Sequence, residues 1–265
     1  MKTIIDTSKQ DKEAVKYFVQ PNSIVRKIWG KTDTILFIFA GSAAEFALNK
    51  AVDWLYFTGK LPKDPIGRLF STVVYAHKII FQEEEKALLA IRSITQIHQN
   101  VENARGAKIP DWAYRDVLYM LIYYSIAAFE LLEHKLSMTE KEEVFQVFAR
   151  VGQEMGLIQL PDNFKDWEKS RQGHLNNDLA YSNLTEDLFK QYKRHLGFRY
   201  PVLIQVQQLL VPKQVAILLP FGSSLFYKRI LFAYIKTKNF RLLTSLKFKL
   251  LPSEYRTALK SLEDG

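Results

Sequence analysis

The sequence predicts an all-α protein built as a single globular domain. Apolar residues recur at helical spacing along most of the chain, helix start and stop signals bracket those runs, and only 11 glycines and 9 prolines are scattered through 265 residues. The one strand-like run, 215–219, is too short to found a sheet. There is no internal repeat, flexible linker or low-complexity stretch, so 1–265 reads as one domain.

The elements follow in order. Thr32 or Asp33 can cap a helix reaching to about Tyr56, with a stripe through Leu36, Phe39, Ala43, Phe46 and the stem of Lys50. Segment 59–65 breaks it. Asp64 then offers a capping carboxylate and Pro65 a first-turn proline, which predicts a helix over 65–81. The next, over 83–105, opens on Glu83, Glu84 and Glu85, whose charge suits the positive end of a helix dipole. After a break at 106–110 comes a long apolar helix over 111–134. Thr139 and Glu142 have the spacing of a capping box for a helix over 139–155, closed by Gly156. Shorter helices fall at 162–174 and 185–196. Beyond 201, prolines at 201, 212, 220 and 252 keep the helices short.

Composition then narrows the chemistry. The chain has no cysteine, which excludes disulfides, thiolate-bound metal centres and iron–sulfur clusters. Its first residues carry neither an apolar signal core nor a small-residue cleavage site. The longest apolar stretch, 35–48, is interrupted by Glu45 and falls short of the roughly 20 residues a membrane span needs. A cytoplasmic protein with a buried core helix is expected. The net charge of +9 gathers at the end, where thirteen Lys and Arg over 193–265 face only Glu254, Glu263 and Asp264. That basic part suits peripheral contact with an anionic membrane. Its cations are interleaved with apolar residues, without a helix-turn-helix or basic stripe, which speaks against nucleic acid.

With no thiols, the five histidines are the metal-ligand candidates. His134, His174 and His195 each fall near a predicted helix end among polar residues and read as surface groups. His77, nine residues after Arg68, faces the opposite side of its helix. His98 differs, because Ile91, Ile94, His98 and Val101 share one helical face. It points inward, either as a core histidine satisfied by a neighbour or as a ligand. A di-iron carboxylate site would need two Glu-x-x-His pairs, and Glu130, Glu133 and His134 supply no second copy. Phosphate-loop, nucleophile-elbow and His-Glu-x-x-His motifs are absent.

Four segments in order carry a resemblance. DPIGRLFST over 64–72 is followed by RSITQIH ending at His98, then by SIAAFELLEHKLSMTEKEEVF over 125–145 and by VGQEMGL with LPDNFKDW over 151–167. Together they resemble the rubber-oxygenase family of latex-clearing proteins and MpaB-type oxygenases, best over 25–167 and more loosely over the basic part 193–265. The resemblance implies helices packed in a globin-like way around a pocket for non-covalent haem b. It implies His98 as the iron ligand, and Arg68 and Thr72 as residues that serve both haem binding and catalysis. Arg68 and Thr72, four residues apart, share a helical face, so the guanidinium can pair a propionate and the hydroxyl can stand near the iron.

Some positions depart from the pattern. Ser71 stands where latex-clearing proteins have a lysine that can occupy the distal iron position, which implies an open or water-filled distal site and makes Ser71 a candidate catalytic residue beside Arg68 and Thr72. The family's further histidine falls near Leu118. Its proposed base falls near Val52, with Asp53 and Glu45 the nearest acids. The implied activity is oxidative cleavage of a carbon–carbon double bond in an apolar, isoprenoid-like substrate by dioxygen. The alternative is a haem sensor or carrier without catalysis. The aromatic helix from Trp112 to Phe129, with Tyr114, Tyr119, Tyr123 and Tyr124, either lines the pocket or forms ordinary core.

Overall fold

The structure is a computed structural model that describes residues 15–59, 63–222 and 225–237. Among these residues all regular structure is helical, and the only β-type pairings are isolated bridges at Tyr17–Glu83 and Asn49–Leu179. The helices are α1 (Ile24–Trp29), α2 (Thr32–Leu48), α3 (Asp53–Phe57), α4 (Pro65–Phe81), α5 (Glu84–Arg105), α6 (Asp111–Leu132), α7 (Met138–Glu154), α8 (Phe164–Asn177), α9 (Asn183–Leu196), α10 (Tyr200–Leu210), α11 (Lys213–Leu218) and α12 (Leu225–Thr237).

At the centre lie α2 and α6, which make the most extensive helix pairing among the described residues. Both are apolar almost all round, as buried helices are. Ile35 and Ile38 of α2 join Tyr119, Ile122 and Tyr124 of α6 in the main core, while Ala44 and Leu48 of α2 pack with Leu175, Leu179 and Val215 in a second cluster. Burying each such aliphatic side chain contributes about 1.5–3 kcal/mol. At Gly41 the ring of Tyr124 packs onto the α2 backbone, leaving no room for a Cβ. Short α1 pins this pair from one side, burying Trp29, whose indole N–H donates to Ser125 Oγ at 3.1 Å. The hairpin of α4 and α5 packs beside it, and α9 and α10 close the other flank of α2.

Several boundaries match the sequence reading for the reasons given there. Asp64 caps α4 by accepting from Gly67 N at 2.7 Å, with Pro65 in the first turn. Gly106 ends α5 at φ +68°, in the left-handed conformation glycine adopts freely.

Others differ. The helix expected to run to Tyr56 stops at Leu48, because α2 is stitched there to a distant loop. Ala180 N donates to Leu48 O at 2.8 Å and Lys50 N to Asp178 O at 2.9 Å. Asn49 Oδ1 accepts from Ala51 N at 2.8 Å, which turns the chain into α3. The capping box lies at Ser137 and Glu140, two residues before the expected pair, and Glu142 instead accepts from Phe164 N at 2.9 Å at the start of α8. The strand-like run 215–219 is mostly the short helix α11. No helix among the described residues is long and apolar enough to cross a membrane. Of the basic C-terminal part, 238–265 lies outside the described residues.

Candidate active site

Between α2, α4, α5 and α6 lies a cavity of about 200 Å³, walled mainly by apolar side chains such as Phe39, Phe46, Leu55, Val117 and Met120. The α2 stripe read from the sequence supplies one wall through Phe39, Ala43 and Phe46. Arg68 and Thr72 of α4 and His98 of α5 enter the same cavity, so three residues spread over two helices are brought to one place.

Their local geometry follows from the helices that carry them. Arg68 and Thr72 sit one turn apart, and Arg68 Nη1 donates to Thr72 Oγ1 and to Ser71 Oγ, both at 3.1 Å. Among the described residues no carboxylate forms an ion pair with Arg68. Burial pulls its pKa below the ordinary arginine value, a sign of a cation poorly served by solvent. Ser71 is exposed, does not line the cavity, and donates to Arg68 O at 2.7 Å.

His98 is half-buried, with its ring edge-to-face on Tyr114 at 5.1 Å. Its Nδ1 is sealed from solvent and has no hydrogen-bond partner. Burial first, and the nearby charge of Arg68 second, push its pKa down to about 4 against the pull of Glu102. The imidazole is therefore neutral at pH 7, the form in which histidine binds a metal. Glu102, one turn further on, is buried and accepts from Lys108 Nζ at 2.8 Å, Ile109 N at 3.0 Å and Tyr114 OH at 3.1 Å. Burial opposes its ionised form, but these donors outweigh it and hold the carboxyl below its ordinary value. On the far side of His98 and Tyr114 a second cavity, of about 150 Å³, is polar and lined by Thr95, Gln99, Glu102, Lys108 and Asp111.

Other sequence candidates lie elsewhere. Glu45 is buried against Arg171 and accepts from Tyr124 OH at 2.9 Å, while Asp53 pairs with Arg105 at 2.6 Å, and neither lines the cavity. Of the α6 aromatics, Tyr114 lines the cavity, whereas Tyr119, Tyr124 and Phe129 are core. His77 stacks on Phe81, and His134 and His195 are exposed. His174 is a correction: it is no surface group but half-buried, with Nδ1 between Asp116 Oδ1 and Asp178 Oδ2, because α8 packs its last turn onto α6. Burial disfavours its charged form, but the two carboxylates prevail and its pKa is raised. The sequence signals for this cluster were an aspartate inside an apolar helix and a histidine four residues before another aspartate.

No curated protein and no solved structure gives a significant match to the chain. The model of a catalytic-domain family, described as ER-bound oxygenase mpaB/B′/Rubber oxygenase, matches residues 29–260. That span holds the cavity and all three residues gathered on its wall, and the chain belongs to the mpaB/rubber-oxygenase catalytic-domain family.

Proposed function

We propose that this domain holds haem b through His98 and uses dioxygen to cleave a carbon–carbon double bond of an apolar, isoprenoid-like substrate. The observation that carries the reading is the convergence of Arg68, Thr72 and His98 on one apolar cavity. The residues fit the group. His98 offers a neutral imidazole with an unsatisfied ring nitrogen, and Arg68 offers a half-buried cation with no carboxylate partner among the described residues, suited to a propionate.

Haem iron, when bound, supplies the dioxygen chemistry. The protein's share is placement and shielding. His98 holds the cofactor, and Arg68 fixes its anionic edge. The Thr72 hydroxyl, already accepting from Arg68, places a hydrogen-bonding group on the cavity wall. Phe39, Phe46, Val117 and Met120 orient an apolar alkene and keep water away. The overall reaction balances without an added reductant: both atoms of dioxygen end in the two carbonyl groups formed from the broken double bond.

The test is reconstitution. Purified protein supplied with haem should develop a Soret band, and with a linear polyisoprenoid alkene it should consume oxygen and yield carbonyl products. A colourless protein overturns the reading. A coloured protein that consumes no oxygen with such alkenes would be a haem carrier or sensor.

A further inference from the structure

A second constellation lies outside that cavity wall. Asp116 Oδ1, His174 Nδ1 and Asp178 Oδ2 all lie within 4.8 Å of one another, where α6 meets the last turn of α8. We propose that these three residues bind a divalent first-row metal ion, a site separate from the one that holds haem. The inference does not rest on the proposed function, since none of the three lines the first cavity.

Valence is the first argument. His174 Nδ1 lies 2.6 Å from Asp178 Oδ2 and also contacts Asp116 Oδ1. One N–H proton satisfies one carboxylate well and leaves the other facing it. Asp116 is only 3% exposed, and its Oδ1 meets His174 Nδ1 in a crowded contact whose single proton is shared with Asp178. Two buried carboxylates served by one N–H leave one of them poorly satisfied, which is costly, and a cation at the meeting point satisfies all three atoms together.

Support around the cluster is the second argument. Asp116 Oδ2 accepts from Asn49 Nδ2 at 2.6 Å, which turns Oδ1 toward the histidine. Asn49 is itself fixed, because its Oδ1 accepts from Ala51 N, so its amide nitrogen must face Asp116. The His174 ring is held edge-to-face by Tyr119 at 5.1 Å. Ligands oriented by outer partners in this way are typical of metal sites. One imidazole and two carboxylates suit Zn²⁺ or Mn²⁺, and their two negative charges balance the ion. With ligand atoms about 2.0–2.2 Å from the ion, neighbouring ligands stand roughly 3.3 Å or more apart. The His174–Asp178 contact of 2.6 Å therefore opens by about 1 Å on binding and the closer His174–Asp116 contact by somewhat more, movements within reach of side-chain rotation.

The experiment uses the full chain, stripped with a chelator and dialysed against Zn²⁺, with Mn²⁺ as a second probe. Metal analysis should find about one equivalent of zinc retained, with a rise in unfolding temperature. Asp178→Asn and His174→Gln should each weaken zinc binding by about ten-fold or more while keeping the helical circular dichroism. Two variants guard against one failing to fold. His98→Asn should bind zinc like the parent, which separates this site from the haem site. No retained zinc, equal retention by Asp178→Asn, or loss in His98→Asn would each overturn the proposal.

Discussion

Arg171 and Glu45 meet in the core through two parallel hydrogen bonds, Nη1 to Oε1 at 3.0 Å and Nη2 to Oε2 at 2.8 Å. Both side chains are about 5% exposed or less, and the pair ties α8 to the centre of α2. Removing one partner leaves a charge buried alone, so Glu45→Gln or Arg171→Met should cost about 3–5 kcal/mol in urea unfolding. The double variant Glu45→Met with Arg171→Met should recover part of that loss. Equal losses in the single and double variants would deny the coupling.

The contact between α2 and α6 makes a second prediction. An alanine Cβ at position 41 would lie 2.3 Å from two carbons of the Tyr124 ring, far inside contact distance. Gly→Ala in a helix ordinarily gains about 1 kcal/mol. Here overpacking of about 1–3 kcal/mol should exceed that gain, so Gly41→Ala should lower the urea midpoint. A raised midpoint would mean that Tyr124 moves aside freely.

Glu130 gives the acid-side prediction. It accepts from Lys135 Nζ at 2.9 Å, Lys141 Nζ at 3.1 Å and Leu136 N at 3.1 Å. Burial raises its pKa, but these donors outweigh burial and hold it below the usual 4.5. The folded state therefore favours the carboxylate. The resulting stability is present above the ordinary value and is lost as pH falls through the lowered one. Glu130→Gln should cost about 1.5–3 kcal/mol at pH 7, with a smaller difference at pH 3. Urea unfolding at both pH values reads the change, and an unchanged difference would exclude Glu130 as its source.

Arg68 and Thr72 should separate binding from chemistry. Arg68→Met should weaken haem affinity by about ten-fold or more, and Arg68→Lys should restore part of it. Thr72→Val should keep the Soret band while slowing oxygen uptake with an alkene. Haem titration and an oxygen electrode read the two effects independently.

How much of this was written in the sequence differs by residue. The helix over 65–81 was legible because Asp64 and Pro65 act locally, and local chemistry survives folding. The end of α2 was not, since residues 178–180 stop it from a distance and periodicity sees only neighbours. For the site, spacing and resemblance point to Arg68, Thr72 and His98, and the fold gathers them at one cavity. Glu102 and its three donors leave no signal in the sequence, because Lys108 and Tyr114 reach it across a turn. The burial of His174 is not legible, because a helix end looks polar in sequence whether it meets water or another helix's aspartate.

The position of His98 beside Tyr114 has one more consequence. The two rings stand between an apolar compartment and a polar one, each bounded by both side chains. Alanine at position 98 would breach that partition and flood the apolar side. Lost ligation and lost dryness would then be confounded in one variant. A filled but non-ligating replacement, His98→Phe, keeps the partition shut and isolates what the imidazole alone contributes.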